Sequence, residues 1–524
     1  MATIYTAPAA LCTGTAAEDV SLNASDNPSK LSVVMADLAA EGEIASDDTI
    51  QFAAGTYSVA GGDFTDAGLA AYNGVAANNF NITFTSASGD PKDTIIDFVG
   101  VAADVGGFNL ISAGTMRFIG LTVKNSNAAA SGSGAEIEMT DGTLIIENCI
   151  IGSDGGGHNL VTIHTVTAAA KCYAKGSEFY GAANDGISAK DDSGAGGIAH
   201  VIYATNCYFH DIVGKSCQAI TLHGGGVATA IYCRFENIGA ENKTSGGPIG
   251  NDDDLTNEAY LFNCYVKDCA YCISNPGSMK MRGNYIENSS GMTIRAVDYT
   301  DKTIEMTENI FNMKINAAAA PLRCFLMAAN AGRIVPRFDF VNNIVINRGE
   351  ATNCLGEISS TGTLTLLNVV GNLVFSDEST AKNLATWISA TTNITDNVFY
   401  AKHASAATYG YIYNTTANTQ NIYRNIVIGS GSFQRNSTAG VTVNNGYNFY
   451  TTGLQADYQN RWTWAATNIG LTDAVILQRF PFLRNVANVN NYTQQSPVGI
   501  GTGIGVKSST SGAAGFIGGR GFIG

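Results

Sequence analysis

The chain has 524 residues, with 29 Lys and Arg against 44 Asp and Glu, a formal charge of −15 and only 14% charged residues. So acidic a chain lacks the clustered cations that neutralise phosphates, which excludes duplex nucleic acid as a partner, and no run of about 18 apolar residues is present to span a membrane. Hydrophobic residues at 45% argue against disorder, and 59 glycines with few charged helix faces argue against a helical bundle.

Residues 1–44 form an N-terminal segment. It opens on Met1-Ala-Thr-Ile-Tyr, without a basic stretch or apolar signal core, so cytoplasmic synthesis without a visible signal peptide is expected. Residues 28–40 place apolar residues at helical spacing behind Pro28, which predicts an N-terminal capping helix. From 45 to 450 one phrase recurs: an apolar residue, one or two residues, then Cys, Ser or Asn, then two apolar residues. Its anchors are Cys149, Ser177, Cys207, Cys233, Cys264, Asn284, Asn309, Asn343, Asn372, Asn397, Asn425 and Asn448. The mean step is about 27 residues, and the steps vary, which excludes leucine-rich and ankyrin repeats. Each period holds two or three short β-branched runs alternating apolar and polar residues, with no helix between them. Stacked coils of short strands satisfy these constraints, so the expected fold is all-β, a parallel β-helix.

If every anchor occupies the same bend, seven consecutive asparagines stack and bond amide to amide. Residues 451–511 lose the period and read as a C-terminal cap. Residues 512–524 form a Gly-rich tail, where Phe516, Ile517, Phe522 and Ile523 are the expected assembly residues of a homo-oligomer or larger particle. The eleven cysteines offer no CxxC pair with zinc-ligand partners, and they read as buried, reduced thiols.

Two of these features carry a resemblance. Thr49-Ile-Gln-Phe-Ala-Ala-Gly-Thr-Tyr resembles the first-coil phrase of the pectin-lyase-like right-handed β-helix superfamily, and the asparagine stack resembles that superfamily's asparagine ladder. The resemblance implies a single-stranded right-handed parallel β-helix over roughly 45–450. It leaves function open, because the superfamily holds lyases, hydrolases, epimerases, phage tailspikes and inert structural modules. Gly283-Asn-Tyr-Ile-Glu-Asn-Ser-Ser-Gly-Met-Thr-Ile-Arg295 is similar to a segment of chondroitinase-B-like and alginate-lyase-like enzymes, which pair a Lys with an Arg on neighbouring coils. Arg295 matches their arginine, but Pro276 stands where the lysine is expected. Asn184-Asp-Gly-Ile-Ser-Ala-Lys-Asp-Asp resembles polygalacturonase-like hydrolases, though Asp185, Asp191 and Asp192 fall within one coil rather than on adjacent coils.

Aligning the anchors also aligns Ile187, Ile220, Ile249, Ile273 and Ile294. The residues immediately after them, Ser188, Thr221, Gly250, Ser274 and Arg295, then point outward. Two positions further along, Lys190, His223 and Asp252 share a column, where an imidazole between a cation and a carboxylate suits acid–base chemistry. Asp191, Asp192, Asp253 and Asp254 add oxygens that suit Ca²⁺. A solvated polar edge would give the same pattern. The expected function is a non-enzymatic structural or adhesion module, a virion fibre, spike or decoration component, or an extracellular surface protein, with a carbohydrate-facing side. The alternative is a polysaccharide lyase or hydrolase acting on acidic glycans.

Overall fold

The short β-branched runs become short strands, and turns rich in Gly, Asn and Asp separate them. The computed structural model describes residues 4–6, 48–58, 81–98, 107–111, 114–125, 135–154, 159–165, 169–191, 199–214, 217–239, 246–252, 257–274, 277–294, 303–314, 323–327, 334–348, 353–358, 363–376, 382–386, 391–401, 412–414, 417–429, 432–436, 440–457 and 462–479. An N-terminal unit comprises 1–241 and 245–257, and a C-terminal unit comprises 242–244 and 258–524. Each is a parallel β-helix. The expected N-terminal helix over 28–40 and the tail over 512–524 lie outside the described residues.

One coil of the N-terminal unit shows the plan. Lys171–Lys175 supplies its first-sheet strand, Glu178–Tyr180 its second and Ile187–Asp191 its third. The next coil repeats this with His200–Thr205, Tyr208–Ile212 and Gln218–His223. Each strand pairs in parallel with its counterpart, setting Cys172 level with Ile202, Phe179 with Phe209 and Ile187 with Ile220. Coils so paired are about 4.8 Å apart, and like residues stack on like. The rings of Phe179, Phe209 and Phe235 stack inside at centroid distances of 4.6 and 5.2 Å, fully buried. Such pairs add about 0.5–1.5 kcal/mol each to the burial of their area.

The bend before the second sheet explains the repeated phrase. The residue preceding the anchor is left-handed, with φ of 51° at Asn148, 54° at Asn206, 53° at Asn263, 55° at Asn342 and 60° at Asp396. That conformation costs most L-residues roughly 1–2 kcal/mol and suits Gly, Asn and Asp. Tyr232, Glu308, Arg424 and Tyr447 adopt it as well, with φ between 55° and 59°.

The anchor then turns inward and accepts the backbone N–H of the anchor one coil earlier. In the N-terminal unit Ser177 Oγ accepts from Cys149 N at 3.1 Å, and Cys233 Sγ from Cys207 N at 3.5 Å. In the C-terminal unit asparagine does this better, because its amide also donates. Asn284, Asn309, Asn343, Asn372, Asn397, Asn425 and Asn448 are buried, and each Nδ2 donates to the next Oδ1 at 2.8–3.2 Å. The stack extends one rung past the expected Asn448 to Asn468. Ile469–Leu471 pairs there with Phe449–Thr451, ahead of the helix Asp473–Arg479. A second amide column runs on the outward face of the first sheet, where Asn444, Asn421, Asn393 and Asn368 each donate to the residue before, ending on Asp339.

The nine described cysteines with placed side chains are all buried and free, in keeping with the reduced thiols expected. Burial pushes the Cys149 thiol up to about 12. Among the described residues no helix is long and apolar enough to cross a membrane.

Candidate functional site

The third sheet of the N-terminal unit carries the expected site residues. Its strands Ala135–Thr140, Asn159–Thr165, Ile187–Asp191, Gln218–His223 and Gly247–Asp252 turn Ile137, Val161, Ile187, Ile220 and Ile249 to the core. The opposite parity yields two rows. One is Glu138, Thr162, Ser188, Thr221 and Gly250, and the other is Thr140, His164, Lys190, His223 and Asp252. Lys190, His223 and Asp252 therefore stand level on successive coils, as the spacing predicts. His164 joins them on the far side of Lys190, with Nε2 3.0 Å from Glu138 Oε1.

The first row is buried although it faces outward. Thr162, Ser188 and Thr221 are each no more than 3% exposed. Among the described residues, the hydroxyls of Ser188 and Thr221 have no hydrogen-bond partner. A buried polar group left in that state costs about 1–3 kcal/mol.

The bend leading into the third sheet adds a carboxylate. Asp185 is buried, and its Oδ1 accepts from Gln218 N at 3.0 Å while its Oδ2 lies 4.0 Å from His223 Nε2. Asn159 ties the bend together. Its Oδ1 accepts from Asp185 N and Asn184 Nδ2, and its Nδ2 donates to Thr162 Oγ1 at 3.2 Å. Gly250 is level with Thr221, and a Cβ there would strike the Gln218 side chain. The outward face thus combines buried hydroxyls, a buried carboxylate and a rim of His and Lys.

Other expected residues fare differently. Asp191 and Asp252 are placed by strand backbone alone, while Asp192, Asp253, Asp254, Pro276 and Arg295 lie outside the described residues, as do Phe516, Ile517, Phe522 and Ile523. The expected level of Ile273 with Ile294 is corrected. Ile273 stands level with Met292 and Ser274 with Thr293, so Ile294 sits two residues further along its strand. Equal apolar spacing misleads there because Met292 takes the register position that Ile was expected to fill.

A second polar cluster, missed in the sequence, lies on the outward face of the second sheet of the same unit. Glu178, Tyr208 and Arg234 form one row, and Gly152, Tyr180, His210 and Glu236 the next. His210 bridges Glu178 Oε1 at 3.0 Å and Asp211 Oδ2 at 2.8 Å, with its ring 4.2 Å from that of Tyr208. Arg234 bonds Glu236 at 2.6 Å and lies 5.0 Å over the Tyr208 ring. The His210 hydrogen bond holds Glu178 below the usual carboxylate range. Burial pulls the imidazole down, but the two carboxylates outweigh it and His210 is raised. Asp211 is lowered in turn, where bonds from Asn237 and His210 outweigh burial. Its imidazole, guanidinium and carboxylates bond to one another, so the cluster reads as a structural clamp. Period-2 alternation put these residues on one face, but tyrosine and glutamate at outward positions gave no sign that they interlock.

No protein-family model matches the chain, and no curated protein matches it in sequence. Among solved structures, the tailspike protein of E. coli bacteriophage HK620, solved with a pentasaccharide, is 10% identical over 88% of this chain and 77% of its own, at a TM-score of 0.31. PfbA, a surface adhesin of Streptococcus pneumoniae, is 13% identical over 87% of this chain and 92% of its own, at 0.24. At such scores neither likeness bears on function.

Proposed function

We propose that the chain is a non-enzymatic structural or adhesion module, built on a pectin-lyase-like β-helix, whose third sheet faces carbohydrate on a virion or an extracellular surface. One observation carries the reading: the row of His164, Lys190 and His223, level on successive coils and only half-buried, so that polar side chains stand open to a ligand. A saccharide offers hydroxyls that both donate and accept, so it bonds these imidazoles and this ammonium where an apolar ligand bonds none. The full chain, screened against immobilised polysaccharides, is expected to retain at least one. Lys190→Ala and His223→Ala are expected to weaken that binding at least about tenfold, a loss of about 1.4 kcal/mol, with the circular dichroism unchanged. Undiminished binding by both variants would overturn the assignment of this face.

A second reading keeps the acid–base alternative, because a buried carboxylate, Asp185, stands 4.0 Å from the His223 imidazole. On that reading the chain cleaves an acidic glycan as a lyase or hydrolase, and His223→Ala abolishes the release of new chain ends. Binding without any new chain ends favours the first reading.

A further inference from the structure

The outward face of the first sheet of the N-terminal unit carries side chains that neither the bends nor the core use. In-register pairing of Thr115–Ile119, Thr143–Glu147, Lys171–Lys175 and His200–Thr205 sets Arg117, Ile145, Tyr173 and Tyr203 level in one outward column along the coil axis. Tyr173 and Tyr203 are each 38% exposed, with ring centroids 6.5 Å apart. Large rings left in water on successive coils mark a surface that meets a partner. Lys171 and Lys175, both exposed, flank Tyr173 on its own strand.

The charges favour an anion. Arg117, Lys171 and Lys175 stand against one carboxylate, Glu147, which is level with Lys175. Among the described residues none of these three cations is in an ion pair. The first sheet of the C-terminal unit differs. There Lys280 pairs with Glu305 at 3.2 Å, Arg282 with Glu308 at 2.9 Å, Arg337 with Asp339 at 2.8 Å and Arg424 with Asp396 at 2.7 Å. In a chain of net charge −15, where carboxylates are in excess, neighbouring cations left unpaired present their charge to an anion from outside.

We propose that this face binds an anionic polysaccharide laid along the column, with sugar rings on Tyr173 and Tyr203 and carboxylates or sulfates on Lys171, Lys175 and Arg117. Tyrosine suits the sugar, because its flat apolar ring and hydroxyl tip match the C–H face and the hydroxyls of a pyranose. From Arg117 to Tyr203 is three coils, about 14 Å at 4.8 Å per coil, so successive sugars meet one straight line of contacts. An acidic peptide fits less well. An extended peptide docks by adding to a sheet edge, and both tyrosine strands are already paired on either side. The column belongs to a different sheet from His164, Lys190 and His223, so this site is independent of the one on the third sheet.

The test uses the full chain carrying Lys190→Ala and His223→Ala, so that binding at the third sheet does not enter. Titration calorimetry with polygalacturonate and with dextran sulfate is expected to show binding of at least one, weakening as salt is raised. Adding Tyr173→Ala or Tyr203→Ala is expected to weaken that binding at least about tenfold, and Tyr173→Phe to leave it within about twofold. Lys171→Ala with Lys175→Ala is expected to weaken it and to flatten its salt dependence. No binding of either polymer, or binding undiminished in both tyrosine-to-alanine variants, would overturn the proposal. Equal binding of polyglutamate would make an acidic protein the occupant, and equal binding of uncharged dextran would remove the cations' role; either result also overturns it.

Discussion

Asn372→Ala is the sharpest test of the inward amide column. Asn372 donates from Nδ2 to Phe340 O at 2.8 Å and to Asn397 Oδ1 at 3.0 Å. Its Oδ1 accepts from Asn343 N at 2.8 Å and from Asn343 Nδ2 at 3.2 Å. Alanine removes all four bonds in a site that is 2% exposed. Asn343 Nδ2 keeps its bond to Met306 O, and Asn397 Oδ1 keeps the Asn372 backbone N–H. The Asn343 backbone N–H and the Phe340 carbonyl lose the bonds that Asn372 provided. At about 1–3 kcal/mol for each of the two buried groups left unpaired, the expected loss is about 2–6 kcal/mol. Asn444→Ala is the control, because its bond to Asn421 Oδ1 lies on the exposed face and is expected to be worth no more than about 1 kcal/mol. Urea unfolding followed by circular dichroism compares the two variants, and hydrogen exchange at the Asn343 amide localises the damage to adjacent coils. Equal losses for Asn372→Ala and Asn444→Ala would refute the claim that the inward column holds the bend.

Tyr447 is left-handed at φ 58° and 61% exposed, so Tyr447→Asn is expected to raise stability by about 0.5–1 kcal/mol in the same assay. The His210 clamp makes the N-terminal unit pH-sensitive on both sides. The raised imidazole contributes stability that is full below the unfolded pKa of about 6.5 and is lost as pH rises through the folded value. The lowered Glu178 and Asp211 contribute stability present above about pH 4 and lost as pH falls through their folded values. Melting across pH should therefore peak between these limits, and His210→Gln should flatten the alkaline limb. The buried thiols, Cys149 among them, are expected to resist a thiol reagent in the native chain and to react after unfolding. Removing residues 512–524 is expected to lower the assembled mass in solution if Phe516, Ile517, Phe522 and Ile523 join subunits.

The bend was the most legible part of the sequence, because it imposes two demands at adjacent positions. A left-handed residue favours Asn, Gly or Asp, and the next position needs a small side chain that accepts a hydrogen bond. Those demands fixed the anchors, and in-register pairing carried the inference to the row of Lys190, His223 and Asp252. Asn468 escaped because Gly470 stands where every other anchor is followed, two residues on, by Ile, Val, Phe or Tyr. The contact of Asp185 with His223 also escaped. It joins residues 38 positions apart through a bend whose length differs from coil to coil. The burial of Ser188 and Thr221 was equally hidden, since period-2 alternation assigns a face but not what covers it. The burial of Ile344 and Ile346, which flank Val345 in the second sheet of the C-terminal unit, was hidden for the same reason. In Ile344-Val-Ile the core residue and its neighbours are all β-branched, so alternation vanishes where both faces are dry.

The central claim is that the third sheet of the N-terminal unit faces carbohydrate. The most direct measurement is hydrogen exchange of the full chain with and without the polysaccharide it retains best. The account predicts slowed exchange at residues 187–190 and 220–223, with the second sheet of the same unit unchanged. Protection confined to other faces, or retention of no polysaccharide at all, would contradict it.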